Sequence, residues 1–293
     1  MSTPENLAAD VFPYQSREHR VPGGVMRYVD EGPRDADPIL CVHGNPTWGF
    51  HFRRVIERFA DRHRVIAVDH LGCGRSDKPP RGEFGYRLGD HRDNLASLVE
   101  SLDLRRIRLV AHDWGGAIGT SVAVADPDRF AGVALMNTAA FPPPYIPRRI
   151  AACRWPVVGT PMVRGLNAFA RAATFMTTAR GPLPPEVKRG YLAPYDDWSN
   201  RVAVDAFVRD IPMHPSHPTH AVLADLERDL PKLSDKPIPL IWGMRDWCFR
   251  PECLRRFEAI WPHADVTRIH DAGHYVIEDA PEEVLGALGR WLR

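Results

Sequence analysis

The chain has 293 residues, 44% hydrophobic and 26% charged, which suits one large α/β domain or one such domain with an insertion. Its 38 basic and 37 acidic residues leave a net charge of +1, so the whole-chain balance offers no basic field for nucleic acid or an anionic membrane. Five scattered cysteines without CxxC spacing argue against a zinc site or a disulfide framework and fit a cytoplasmic protein. The N-terminal residues show no signal-peptide pattern, and no run approaches the roughly 18 apolar residues of a membrane span.

Short apolar runs alternate with helical patterns, the mark of βαβ units. Strands are predicted over 25–30 and 38–42. His43-Gly44-Asn45-Pro46 follows the second and leads into a helix over 50–60. In that position the segment reads as a loop whose backbone N–H groups support an oxyanion, rather than as a plain turn. A strand over 64–68 precedes the Gly-punctuated loop that starts at Asp69. That loop lacks the GxxxxGK[ST] spacing of a phosphate cradle and reads as structural. A helix follows over 89–102, then a strand over 107–111.

Ala111-His112-Asp113-Trp114-Gly115-Gly116 comes next. A strand, one tip residue and small residues opening a helix form the layout of a nucleophile elbow. The tip is Asp113, where Ser is usual. A carboxylate attacks without losing a proton and forms an ester, which moves the expected chemistry from acyl transfer to displacement at an electrophilic carbon. The competing reading is an Asp that caps the next helix. The Trp114 indole and the Asn45 amide are uncharged N–H donors suited to a departing anion; a core aromatic is the other reading of Trp114.

After a strand over 131–136 the regularity stops. From Phe141 to about residue 231 the chain is rich in Pro and Arg and shows only helical pieces. This predicts a core domain of 1–140 and 232–293 and a helical cap of 141–231. The cap would lie over the carboxyl ends of the strands, where ligands bind in open α/β sheets. Trp155, Phe169, Phe175 and Phe207 either line a pocket for alkyl chains or pack inside the cap. His214, His217 and His220 lack accompanying Cys or acidic ligands, so no metal is expected.

Alternation resumes with a strand over 238–242, a helix over 252–260, a strand over 265–269 and a last helix from about 281. Hydrolysis of an ester on Asp113 needs a base near neutrality, which points to a histidine. His274 sits in the loop after the last strand. Asp246 ends a strand before it and reads as the orienting acid, with a turn residue as the alternative. Asn137 occupies the other position for such an acid but carries no charge, and Asp271 reads as a loop cap.

Together His43-Gly-Asn-Pro, Asp69-x-x-Gly-x-Gly-x-Ser-Asp-Lys-Pro, His112-Asp-Trp-Gly-Gly and the Asp246/His274 pair resemble the haloalkane dehalogenase branch of the α/β-hydrolase superfamily, over nearly the whole chain beyond the first ~20 residues. The resemblance implies an α/β-hydrolase fold, a mostly parallel twisted sheet flanked by helices with an inserted helical cap. It implies Asp113 as nucleophile, His274 as base, Asp246 as orienting acid, Asn45 and Trp114 as anion stabilisers, and no cofactor. Asn137-Thr-Ala-Ala-Phe, the stretch from Gly190 to Trp198, Arg209-Asp-Ile-Pro and Trp247-Cys-Phe resemble the β-lactone decarboxylases of bacterial long-chain olefin biosynthesis. A hydrophobic cis-β-lactone would then yield an olefin and CO2, in association with other enzymes of that route. A haloalkane dehalogenase would keep every site residue. An epoxide hydrolase would need cap tyrosines, for which Tyr145, Tyr191 and Tyr195 are available. A non-catalytic binding protein would be expected to have lost Asp113 or His274.

Overall fold

The structure, a computed structural model, describes residues 6–155 and 157–293. Strands β3 (Pro38–Val42), β4 (Arg64–Asp69), β5 (Ile107–Asp113), β6 (Phe130–Thr138) and β7 (Pro239–Gly243) are buried along almost their whole length. Continuous apolar runs of this kind suit a parallel sheet covered on both faces. They join β1 (Ser16–Val21), β2 (Gly24–Glu31) and β8 (Asp265–Ile269) in one sheet of order β1-β2-β4-β3-β5-β6-β7-β8. The β1–β2 and β2–β4 pairs are antiparallel and the others parallel. Val42 of β3 lies opposite Ala111 of β5, so the loops after both strands leave at the same carboxyl edge. The predicted strands are all present, and β1 is additional: its sequence SREHRV is mostly polar and half-exposed, as an edge strand tolerates.

Helices α1 (Arg53–Phe59), α2 (Leu88–Ser101) and α3 (Trp114–Ala125) connect β3 to β4, β4 to β5 and β5 to β6. Every residue of α3 from Gly115 to Val124 is buried, which explains its apolar character all round. Between β6 and β7 the chain is helical: α4 (Arg148–Ala152), α5 (Ala168–Met176), α6 (Pro185–Leu192), α7 (Val202–Asp210) and α8 (Pro218–Asp229). Then come α9 (Pro251–Ile260), α10 (Val276–Asp279) and α11 (Pro281–Trp291).

Apolar clusters fill both faces of the sheet. A small third one, around Ile150, Val163, Ala170, Tyr195, Val204 and Val208, holds the inserted helices together. The insertion is also tied to the core. Helix α8 packs on α2 and α3, and its Leu223 and Leu226 join the cluster beneath them. His217 starts α8 by accepting the Thr219 N–H at 3.3 Å, with Pro218 at the first helical position. His214 bonds to Ser216 Oγ at 2.8 Å. Among the described residues no group of three His, Cys, Asp or Glu is placed to hold a metal ion, and no helix is long and apolar enough to cross a membrane.

Candidate active site

Strand β5 ends on Asp113, whose backbone sits at φ 55°, ψ −131° before α3 begins. Side-chain-bearing residues rarely occupy that region, and holding one there costs on the order of 1–3 kcal/mol. Two contacts enforce it. Thr138 Oγ1 donates to the Asp113 carbonyl, and Gly115 packs so close to the Val42 carbonyl that a β-carbon there would collide with it. The Asp113 side chain makes no capping bond to α3. Its Oδ1 instead accepts the Asn45 N–H at 2.6 Å, so the carboxylate faces the loop after β3. The Trp114 backbone N–H makes no bond to this carboxylate among the described residues.

His274 lies in the loop between β8 and α10. Its Nδ1 is 2.8 Å from Asp246 Oδ2 and its Nε2 is 3.5 Å from Asp113 Oδ2. The three side chains predicted from separate stretches of sequence therefore meet at the carboxyl edge of the sheet. Asp246 follows β7 and is fully desolvated. It also accepts the Cys248 N–H at 2.6 Å and the Asn137 Nδ2 amide at 2.9 Å. Burial alone would raise its pKa; the neighbouring His274 and these donors outweigh that and hold the carboxyl below its ordinary value. Burial likewise disfavours a charged His274, but the carboxylates of Asp246 and Asp113 reverse the balance and push it up to about 10. The ring lies between two carboxyl groups that favour its protonated form.

The predicted donors flank this constellation. One proton of the Asn45 amide goes to the Val204 carbonyl at 3.2 Å, which fixes the group and leaves the other proton for the cavity that Asn45 lines. Trp114 is half-buried, its ring 5.5 Å from Phe207, and it lines the same cavity. Among the described residues its indole N–H has no hydrogen-bond partner.

That cavity has a volume of about 280 Å³. Asn45, Asp113, Trp114 and His274 form its polar wall, while Ile146, Ile150, Phe169, Met176, Leu223 and Phe249 supply apolar wall elsewhere. Of the four candidate cap aromatics, Phe169 alone borders it. Phe207 is buried in the core and stacked on His91 at 4.6 Å. Trp155 and Phe175 are 61% and 66% exposed. Helical periodicity accounts for Phe175: Phe169, Ala172, Ala173 and Met176 share the cavity face of α5, and Phe175 lies off it.

The tyrosines an epoxide hydrolase would use are committed elsewhere. Tyr191 is buried, its hydroxyl 2.8 Å from His51 Nδ1 and donating to Glu278 at 2.6 Å. Tyr195 is buried and donates to the Thr47 carbonyl at 3.1 Å. Tyr145 reaches the cavity, but its hydroxyl donates to the Cys248 carbonyl at 2.9 Å.

Two contributors lay outside the sequence reading. Asn137, to which the sequence assigned no contact with Asp246, donates to it and also accepts the Gly243 N–H at 2.8 Å, locking that carboxyl to the end of β7. His112 packs against His274 with ring centroids 4.5 Å apart, and its Nε2 bonds the His274 carbonyl at 2.9 Å. Burial, reinforced by the nearby His274, pushes its pKa down to about 4, so it is a neutral support. The signal for Asn137 was its place after a strand; for His112 it was the elbow motif itself. The loop after Asp69 is structural, as read: Asp69 accepts from the N–H groups of Gly49 at 2.7 Å and Arg75 at 2.9 Å.

The alpha/beta hydrolase fold family matches residues 37–281. The cis-3-alkyl-4-alkyloxetan-2-one decarboxylase of Shewanella oneidensis is 37% identical over 267 residues, covering 90% of this chain and 83% of that protein. The Xanthomonas campestris pv. campestris protein of the same name is 38% identical over 280 residues, covering 92% and 93%. Among solved structures, the haloalkane dehalogenase DbeA from Bradyrhizobium elkani superposes with a TM-score of 0.84 at 26% identity, covering 95% of this chain and 97% of its own. With an elbow that carries Asp113, an eight-stranded mostly parallel sheet and these relatives, the chain belongs to the α/β-hydrolase family, in the group of enzymes that contains these decarboxylases and haloalkane dehalogenases.

Proposed function

We propose that this enzyme converts cis-3,4-dialkyl β-lactones into olefins and CO2, with Asp113 as nucleophile, Asp246 and His274 as its acid and base partners, and Asn45 and Trp114 as anion donors. The observation that carries the reading is a carboxylate at the elbow, aimed by the Asn45 N–H into an apolar cavity beside two uncharged N–H donors. The choice of lactone over halide rests on the two decarboxylases, which match nine-tenths of the chain or more.

In the reaction we infer, Asp113 attacks the alkyl ring carbon and the ring C–O bond breaks. The ring oxygen leaves as a carboxylate on the adjacent carbon, where the N–H groups of Asn45 and Trp114 receive it. Cleavage of the C–C bond to that carboxylate releases CO2; its electron pair forms the double bond and expels Asp113 as a carboxylate. Inversion followed by anti elimination preserves the cis geometry, and no water is consumed. With a haloalkane the same attack leaves a plain alkyl ester, and His274 must then take a proton from water to cleave it. The dehalogenase likeness in the solved structures supports that second reading.

We read residues 141–231 as a cap that closes the cavity, and place the enzyme in the cytoplasm, alongside other enzymes of the same route. The test of function is a side-by-side assay of a cis-dialkyl β-lactone and 1-bromobutane, with gas chromatography for alkene and an ion assay for bromide. Lactone turnover should exceed bromide release at least ~10-fold in kcat/KM, about 1.4 kcal/mol of transition-state binding. Rapid bromide release with no alkene from any lactone would assign the site to dehalogenation.

A further inference from the structure

The near-zero total charge conceals a sharp segregation. Residues 141–190 hold eight Lys and Arg against the single acidic Glu186, a net of +7. The rest of the chain, with thirty basic and thirty-six acidic residues, carries −6. The same fifty residues hold most of the exposed large apolar side chains of the described chain: Trp155, Val157, Val158, Leu166 and Phe175 are between 45% and 81% exposed. Cations sit among them. Arg148 and Arg171 are exposed and form no ion pair among the described residues, and Lys188 Nζ lies 4.4 Å over the Phe175 ring. Inward-facing residues of this stretch, among them Ile146, Met162 and Phe169, line the cavity.

We propose that the outer surface of residues 141–190 docks on a lipid bilayer carrying anionic headgroups, so that an apolar substrate dissolved in the membrane reaches the cavity without crossing water. Exposed aromatic and aliphatic side chains interspersed with cations match the boundary between headgroups and acyl chains. Arg180 is paired with Asp271 and Glu283 and Arg189 with Asp10, which leaves six basic side chains against Glu186, a surplus complementary to a diffuse negative surface. A docking site of this kind serves a lactone and a haloalkane enzyme alike, so it stands apart from the choice between them.

Co-sedimentation of the full chain with phosphatidylcholine vesicles, with and without about a third phosphatidylglycerol, tests it. The expected result is at least ~10-fold tighter binding to the anionic vesicles, weakened by salt. The triple variant Arg148→Glu, Arg171→Glu, Lys188→Glu should abolish it, and Trp155→Ser with Phe175→Ser should weaken it ~10-fold. Circular dichroism melting checks that both variants fold like the parent. No binding to anionic vesicles, or equal binding by folded variants, would overturn the proposal. So would self-association, seen by sedimentation velocity, that both variants remove, since the patch would then belong to a second copy of the chain.

Discussion

The carboxyl edge of the sheet and the helices between β6 and β7 build the two sides of one cavity with different physics. At the strand ends, parallel pairing fixes the backbone, and the reactive side chains are held by charge-assisted bonds: Asn45 to Asp113 at 2.6 Å, His274 to Asp246 at 2.8 Å and Cys248 to Asp246 at 2.6 Å. The inserted helices α4 to α8 rest on a small apolar cluster and on the packing of α7 and α8 against the core. Shared chemistry therefore sits on the rigid side. Most of the apolar wall, from Ile146, Ile150, Phe169, Met176 and Leu223, sits on the inserted side.

The largest effect is expected at the strand ends. Asp113→Ala should lower kcat by on the order of 10³ or more while leaving the fold intact, because Asp113 makes no capping bond. The lost Asn45 bond should cost only about 1 kcal/mol in a denaturant melt. Appreciable residual turnover would remove Asp113 from the nucleophile role.

His274→Phe should block ester hydrolysis without blocking attack. Intact mass spectrometry after incubation with 1-bromobutane should find the butyl group retained on the protein; binding without an adduct would contradict the two-step halide route. The same variant tests the electrostatics. The His274 pKa is raised from 6.5 to about 10 in the folded state. The stability it contributes is then fully present below pH about 6.5 and is lost as pH rises through about 10. Wild type should lose stability across that window, and His274→Phe should flatten the slope.

Packing differences come next. Phe207→Ala empties a core site against His91 and should cost about 3–5 kcal/mol. Asn137→Leu should lower kcat about tenfold, near 1.4 kcal/mol, by freeing Asp246, with the acid limb of the pH–rate profile shifted upward as Asp246 loses a donor. Smallest of all, Phe175→Ala should move stability by less than about 0.5 kcal/mol, because its ring is 66% exposed. A large loss there would mean that the insertion has a buried core of its own that reaches Phe175.

Much of the sheet was legible because buried parallel strands read as unbroken apolar runs, as in Pro38–Val42 and Arg64–Asp69. Strand β1 was not, since an edge strand carries polar residues on a half-exposed backbone. Asp113, Asp246 and His274 were legible from their places after strands. The tasks of Asn137 and His112 were not, because each depends on a partner more than a hundred residues away. For the cap aromatics, helical spacing shows that a residue lies on some face of a helix, and burial depends on which neighbour covers that face.

By itself the sequence determined the order of strands and helices and the residue types at the strand ends, because apolar periodicity and turn chemistry act over a few neighbours. It also put a carboxylate, Asp113, at the tip of the elbow. Folding alone brought Asn45 against that carboxylate, set His274 between two buried carboxyl groups, and turned Phe169 to the cavity while Phe175 faces outward. Distances between groups 28 to 162 residues apart, and the loss of water that strengthens charge between them, exist only once the chain has closed on itself.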